Sequence, residues 1–249
     1  PLFQLFGRIF TLFAAPGTSE VAVAINILSA LCSSFTILFL FWTITAFGRK
    51  LFFKDNNYEV GRIYAVLGSG IVGALAYTFS DSFWFSAVEG EVYAMSSFFT
   101  AITFWCIMKW EQEADQPHAS RWLVLIAYLI GLSIGVHLLS LLTIPAMGMI
   151  YYYKKYEYTK LGAIKAFIIS TVILGVVQGI LIPGVVSLIS NFELFFVNTI
   201  GLPFNSGTII YFLAIIGAIT FGLSYTKRYN KPIWNTAILG FMMLLIGYS

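Results

Sequence analysis

Charged side chains are scarce in this 249-residue chain. Asp, Glu, Lys and Arg together make up 10% of it, whereas apolar residues make up 59%. The mean hydropathy of +0.87 lies well outside the range of soluble globular domains. The net charge of +3 is too small to indicate a nucleic-acid partner. The composition therefore predicts a membrane protein, with membrane lipids as its immediate surroundings.

Cysteine and recognisable cofactor motifs are also rare. Cys32 and Cys106 are the two cysteines, and both lie inside apolar runs without metal-ligand spacing. The sequence contains no P-loop, no Gly-x-Gly-x-x-Gly fingerprint and no His-Glu-x-x-His signature. Nucleotide-binding and zinc-peptidase classes are therefore not indicated.

Several apolar runs reach or approach the roughly 20 residues needed to cross a bilayer. We predict an all-α, polytopic transmembrane helical bundle of about eight membrane segments, forming a single transmembrane domain over residues 1–249. Residues 1–20, around Arg8, are expected to form an interfacial amphipathic segment. The predicted spans are 21–47, 63–80, 92–109, two arms within 122–153, 162–183, 208–225 and 233–248, with a connector at 184–206.

The run 122–153 is too long for one crossing, because 32 residues of helix extend about 48 Å and the hydrocarbon core is about 30 Å thick. We therefore predict a helical hairpin with its turn near Gly131 to His137. Two glycines, Gly131 and Gly135, permit tight backbone geometry there. The turn is expected to line a wet cavity or to be buried in protein.

The distribution of Lys and Arg predicts the orientation in the membrane. Of the 14 Lys and Arg residues, all but Arg8 lie in four connectors, at 48–62, 109–121, 154–165 and 227–231. If these connectors are cytoplasmic, then residues 1–20, the connector 81–93 and the connector 184–206 face outward. His137 is then expected on the same side as residues 81–93.

The connector 81–93 carries three carboxylates, Asp81, Glu89 and Glu91, and no Lys or Arg. Acidic side chains at a membrane boundary are costly to desolvate and commonly have a function. Simple helix capping is the alternative, with Asp81 ending the preceding helix. We take Glu91 and Glu89 as catalytic candidates, acting as a general base, orienting an acceptor hydroxyl or ligating a divalent cation such as Mg²⁺ or Mn²⁺.

Four further residues are candidates for substrate binding. Arg8 is the one basic residue on the predicted outer side and suits an anionic head group, although interfacial snorkelling is an equal alternative. His137 suits a lipid phosphate or an acceptor, against the alternative of a hydrogen-bonded packing residue. Asp81 and Tyr93, at the two ends of the acidic connector, complete this set. Glu193 and Asn205 are on the predicted outer connector and are more simply explained as solvated.

Five stretches resemble bacterial membrane proteins grouped as domain of unknown function 2723. They are Pro-Leu-Phe-Gln-Leu-Phe-Gly-Arg-Ile-Phe (1–10), Ala-Ile-Asn-Ile-Leu-Ser-Ala (24–30), Phe-Ser-Ala-Val-Glu-Gly-Glu-Val-Tyr-Ala (85–94), Gly-Leu-Ser-Ile-Gly-Val-His-Leu-Leu (131–139) and Gly-Leu-Pro-Phe-Asn-Ser-Gly (201–207). That family is similar to GT-C glycosyltransferases and to protein O-mannosyltransferases.

The resemblance implies a transferase that moves a sugar from a polyprenyl-phosphate donor to a protein hydroxyl or a glycan. Mannose is the first candidate for the sugar. The implied location is the outer face of the bacterial inner membrane. It places the principal catalytic acid in a Trp-Asp-x-Gly-Glu loop upstream of residue 1, so we expect a fragment. Glu91, and then Glu89, match the family's second acidic site. The alternative from the residues is a transporter or lipid-carrier flippase with an acidic coupling site.

Overall fold

The computed structural model describes residues 2–15, 17–53 and 58–248. These residues form helices and connecting turns without β-strands, which confirms the all-α class. The α-helices are α1 (Leu2–Thr11), α2 (Thr18–Phe52), α3 (Val60–Thr78), α4 (Asp81–Val88), α5 (Val92–Glu113), α6 (Ser120–Ile134), α7 (Thr143–Lys155), α8 (Lys160–Val176), α9 (Ile182–Leu194), α10 (Ser206–Arg228) and α11 (Pro232–Tyr248). A 3₁₀-helix covers Leu138–Leu142, and π-helical turns cover Val177–Leu181 and Phe195–Thr199.

Five of the described helical stretches are long and apolar enough to cross a membrane. They are α2, α3, α5, the continuous helix Lys160–Thr199 and α10. The chain is thus a multi-pass helical membrane protein, as predicted. The other three predicted segments correspond to the shorter helices α6, α7 and α11, and their passage through the bilayer stays a prediction.

The chain divides into two compact units. The first comprises Pro1–Thr143 and Met243–Ser249, and the second comprises Ile144–Met242. The single transmembrane domain over the whole chain stays a prediction.

Helix α2 is the centre of the first unit, where it packs against α1, α3, α4 and α5. Small hydroxyl side chains line the buried faces of α2 and α5, among them Ser29, Ser33, Ser96 and Thr103, each at most 4% exposed. None of these four has a hydrogen-bond partner among the described residues. Small residues at a helix–helix interface let the two backbones approach closely in lipid.

Contacts within the first unit show which helix ends lie together. Lys50 at the end of α2 forms an ion pair with Glu111 at the end of α5. At the opposite end of α2, Ile25 lies against Gly90, just before α5. The basic connectors 48–62 and 109–121 therefore share one end of this unit, and the acidic connector lies at the other. Which end faces the cytoplasm stays a prediction.

The 32-residue run 122–153 is interrupted where the sequence predicts a turn. Helix α6 ends at Ile134, and His137 caps the start of the 3₁₀-helix that leads to α7. The reason predicted for the glycines is wrong, because Gly135 has a right-handed helical φ of −70°. Gly131 instead lies inside α6, against the backbone of Leu244 near the end of α11. Close packing explains Gly131, and the reversal of chain direction stays a prediction.

The connector predicted at 184–206 is wrong in its extent. In the second unit, helix continues from Lys160 to Thr199, and non-helical chain is confined to residues 200–205. Pro183 does not end the helix, because it lies in the first turn of α9, directly after the π-helical turn Val177–Leu181. A proline lacks the backbone N–H and leaves one helical hydrogen bond unmade, and here the helix continues past it directly after the π-helical turn.

Candidate functional site

The acidic connector folds into a short helix followed by an extended turn. Asp81 is the first residue of α4, so it begins a helix and does not end the preceding one. Phe83 anchors α4, because it is 6% exposed and its ring lies 4.5 Å from that of Tyr77. Glu89, Gly90 and Glu91 then lead into α5, with extended backbone at both glutamates.

The capping alternative applies to Glu91 through its position and charge, without a hydrogen bond. Glu91 occupies the position before α5, but its side chain makes no capping hydrogen bond. It is exposed, whereas Glu89 is half-buried. None of the ion pairs among the described residues involves Asp81, Glu89 or Glu91. The carboxylates are thus not used to neutralise nearby cations.

Gly90 explains why the two glutamates bracket a glycine. A Cβ added at Gly90 would lie 2.8 Å from Cγ2 of Ile25 and 3.2 Å from Oδ1 of Asn26, both on α2. Because real Cβ atoms do not approach that closely, a larger residue would push the connector away from α2. Gly90 therefore holds the Glu-Gly-Glu turn against α2, beside the Asn26 amide.

His137 and the acidic connector meet at Tyr93. The Tyr93 and His137 rings lie 5.5 Å apart between centroids, at an interplanar angle of 53°. Tyr93 is half-exposed and stands in the first turn of α5, two residues after Glu91. The structure thus brings together two of the predicted binding residues, as expected for a hairpin turn that lies beside residues 81–93.

One ring nitrogen of His137 has a structural role. Its Nδ1 accepts a hydrogen bond of 3.1 Å from the N–H of Leu139, at the start of the 3₁₀-helix. A neutral imidazole whose Nδ1 accepts must carry its proton on Nε2. His137 is half-buried, so Nε2–H is available as a donor to a phosphate or hydroxyl oxygen. The packing alternative therefore accounts for Nδ1, and the binding hypothesis concerns Nε2.

Arg8 lies on α1, which contacts α2. The start of α1 is close to the interrupted run, since Leu2 Cβ would lie 3.6 Å from a Cβ added at Gly135. Arg8 is exposed and stands six residues further along, or about 9 Å at 1.5 Å per residue. Arg8 therefore belongs to the same unit as His137, without direct contact between the two in the structure.

Asp81 lines an open groove of about 440 Å³, together with Phe79, Trp84, Phe85 and Val88. The Phe79 and Trp84 rings are stacked, with centroids 6.2 Å apart and planes 16° apart. Asp81 stands at the start of α4, whereas Tyr93 follows the end of that helix. An aromatic face next to a carboxylate is suited to amphipathic ligands.

Glu193 and Asn205, explained above as solvated, belong to a helix cap in the second unit. Glu193 Oε1 accepts from the N–H of Asn205 at 2.6 Å, and Oε2 accepts from the N–H and the hydroxyl of Thr208 at 2.8 and 3.0 Å. These bonds satisfy donors at the start of α10. Asn205 has a left-handed φ of 73°, which asparagine tolerates better than most residues. Glu193 therefore has a structural role in addition to being partly exposed to solvent.

Two features of the site were not predicted. Ser133 and Ser140 are fully buried and hydrogen-bonded to each other across the helix interruption. Asn26 lies beside the acidic turn. Asn26 is the single amide side chain in α2, so the sequence alone could have drawn attention to it. The serine pair has no such signal, because serines are common in membrane helices.

A metal site is not formed by the described residues. In the ranges that the structure describes, no three His, Cys, Asp or Glu side chains are close enough to hold a metal ion. Glu89 and Glu91 would have to act with donors from elsewhere. No step proposed below depends on a metal.

The fold and this acidic, histidine-containing end define a multi-pass membrane protein with a candidate site at one end of its first helical unit. Comparison with known proteins gives the family. The family model described as the Protein O-mannosyl-transferase TMEM260 N-terminal domain matches residues 1–160. The chain therefore belongs to the family of TMEM260 N-terminal domains.

A curated relative supports the same assignment. The Protein O-mannosyl-transferase tmem260 of Dictyostelium discoideum is 26% identical over 155 residues, which cover 58% of this chain and 17% of that protein. The chain thus aligns with about a sixth of the relative's length. No solved structure matches.

Proposed function

We propose that the chain forms part of a membrane glycosyltransferase that moves a sugar from a polyprenyl-phosphate donor to a protein hydroxyl. Mannose is the sugar that the relative's name supports. A glycan acceptor is the alternative. The proposed setting is the bacterial inner membrane, with the site facing the periplasm.

One observation carries the proposal. All six candidate residues lie within residues 1–160, the part that matches the O-mannosyl-transferase family, and all lie in the first unit. They are Arg8, Asp81, Glu89, Glu91, Tyr93 and His137. The contact between Tyr93 and His137 joins the acidic turn to the interrupted helical run.

The proposed reaction is a direct displacement at the anomeric carbon. The acceptor oxygen forms a bond to that carbon while the bond from the carbon to the phosphate oxygen breaks. The hydroxyl proton passes to a carboxylate, and the polyprenyl phosphate leaves as an anion. By the resemblance described above, the principal catalytic acid lies upstream of these residues. Glu91 and Glu89 then orient the acceptor hydroxyl by accepting its hydrogen bond.

The phosphate of the donor is proposed to contact His137 and Arg8. The Nε2–H of His137 is a donor without a partner among the described residues, and Arg8 offers a charged, bidentate donor. Tyr93 adds an amphipathic ring next to His137. Asp81, on its separate groove, is assigned to the acceptor side.

The proposal is tested by assaying sugar transfer with the full-length protein and a radiolabelled polyprenyl-phosphate mannose. We expect Glu91→Gln to lower the transfer rate by about 10²-fold, because the neutral amide accepts the hydroxyl hydrogen bond more weakly than the carboxylate and a misplacement of about 1 Å costs about that much. Glu89→Gln should have a smaller effect, since Glu91 is the first match to the family's second acidic site and Glu89 the next. Glu20→Gln is the matched control, because Glu20 is an exposed carboxylate in the first turn of α2.

Transfer at the control rate by Glu91→Gln would remove Glu91 from the mechanism. Absence of transfer from this donor by the wild-type protein, together with transfer from another sugar donor, would overturn the donor assignment.

A further inference from the structure

A groove lies at the basic end of the first unit, away from the acidic connector. It is enclosed by the last turns of α2 and α5, and has a volume of about 210 Å³. A second groove of about 280 Å³ opens beside it and shares Ala46, Arg49 and Gln112 with the first. The two form one continuous depression in a face where two candidate membrane spans end.

Two cations in this groove form no ion pair among the residues that the structure describes. Lys50 is paired with Glu111. Arg49, by contrast, forms no ion pair in the part of the chain that the structure describes. Arg49 is exposed at the groove wall, so an anion can reach it.

Lys109 is the second cation. Its Nζ lies 5.5 Å from the centre of the Trp105 ring. Lys109 interacts electrostatically with Glu113, but the Oε2 of Glu113 already accepts from Trp122 Nε1 at 2.7 Å and from Arg121 at 3.2 Å. Lys109 therefore keeps charge to offer to a ligand in the groove.

The remaining wall of the groove is aromatic. The rings of Trp42 and Trp105 lie 5.5 Å apart, and Trp42 is 39% exposed. Tryptophan at the end of a membrane span marks the level of the lipid head groups. The groove thus combines cations with an apolar indole surface, which matches a molecule that has an anionic head and an apolar chain.

We propose that this groove binds an anionic glycerophospholipid. The lipid phosphate lies between Arg49 and Lys109, and the first part of an acyl chain lies along Trp42 and Trp105. Charge complementarity selects this occupant, because basic pockets between membrane helices attract anionic head groups. The bound lipid joins the ends of α2 and α5, which are already connected by the pair Lys50–Glu111. This site is independent of sugar transfer.

The test is lipid binding to the full-length protein in detergent, measured by native mass spectrometry with phosphatidylglycerol or phosphatidylcholine. We expect preferential binding of phosphatidylglycerol and about a fivefold loss of affinity for each of Arg49→Gln and Lys109→Gln. Arg228→Gln is the matched control, since Arg228 is an exposed cation in the last turn of α10. That variant should bind as the wild type does.

Equal binding of both lipids, or wild-type affinity in the Arg49→Gln/Lys109→Gln double variant, would overturn the proposal. Stronger binding of polyprenyl phosphate than of phosphatidylglycerol would assign the groove to the sugar carrier instead. If the variants do not fold, the site is tested by cross-linking a photoactivatable phosphatidylglycerol to the wild-type protein. Cross-links in α2 and α5 around Trp42 and Trp105 support the site, and cross-links elsewhere contradict it.

Discussion

On the scale of single residues, His137 combines a structural and a proposed chemical role on its two ring nitrogens. Nδ1 accepts from the N–H of Leu139, and Nε2–H is assigned to the donor phosphate. Asparagine is a good acceptor for a backbone N–H at a helix start, but it lacks an atom in the place of Nε2. The two roles are therefore separable by substitution.

We expect His137→Asn to keep the stability of the helix interruption and to lose sugar transfer. His137→Ala should lose transfer and also about 1 kcal/mol of the free energy of unfolding, the usual cost of a lost cap. Thermal unfolding in detergent and the transfer assay measure the two effects. Full transfer by His137→Asn would show that Nδ1 alone matters.

Glu193 is expected to stabilise the start of α10. Its carboxylate accepts three hydrogen bonds from Asn205 and Thr208 at the start of α10. Glu193→Ala removes all three hydrogen bonds, whereas Glu193→Gln keeps one carbonyl oxygen as an acceptor. Hydrogen–deuterium exchange at residues 205–208 should be fastest in the alanine variant and intermediate in the glutamine variant. Unchanged exchange in both would refute the cap.

The candidate residues themselves could be chosen from the sequence, because carboxylates and a histidine stand out against apolar surroundings. The residues that they contact could not be predicted from the sequence. The approach of Gly90 to Ile25 and Asn26, and the bond between Ser133 and Ser140, depend on contacts between elements. No local pattern encodes such contacts.

On the scale of elements, Gly207 and Gly217 form a natural pair for comparison, because both lie in α10. A Cβ at Gly207 would lie 2.5 Å from the Cα of Glu193, whereas nothing lies within 4 Å of a Cβ at Gly217. Backbone atoms cannot rotate away as a side chain can. The helix start is therefore in tight contact with the segment around Glu193.

We expect Gly207→Ala to lower the free energy of unfolding by about 1–3 kcal/mol, the usual cost of overpacking. Gly217→Ala should be neutral or raise it by up to about 1 kcal/mol, because alanine favours helix over glycine. Thermal unfolding of the two variants in the same detergent provides the comparison. Equal effects would contradict the close contact at Gly207.

Apolar runs and charged boundaries predicted the positions of the long helices well. Helix α5 begins at Val92 as predicted, and α10 and α11 begin within two residues of the predicted starts. The prediction failed after Pro183, because the span was ended there and a connector was placed over 184–206, whereas the helix continues to Thr199. A preceding π-helical turn and a first-turn position make proline compatible with a continuing helix.

On the scale of the whole molecule, the central claim is that the acidic connector and His137 share one side of the membrane, opposite to the basic connectors. Within the first unit, Gly90 lies at one end of α2 and the pair Lys50–Glu111 at the other. The distribution of Lys and Arg predicts that the second end is cytoplasmic. The transferase proposal requires the first end to face outward.

Labelling with a membrane-impermeant maleimide tests this claim most directly. Single variants Ser82→Cys, Leu139→Cys and Gln112→Cys place a thiol on exposed positions, and the native Cys32 and Cys106 are buried and should not react. We predict that Ser82→Cys and Leu139→Cys are labelled from outside in intact cells, and Gln112→Cys only in inverted vesicles. Labelling of Leu139→Cys from the side of Gln112→Cys, or from neither side, would contradict the claim.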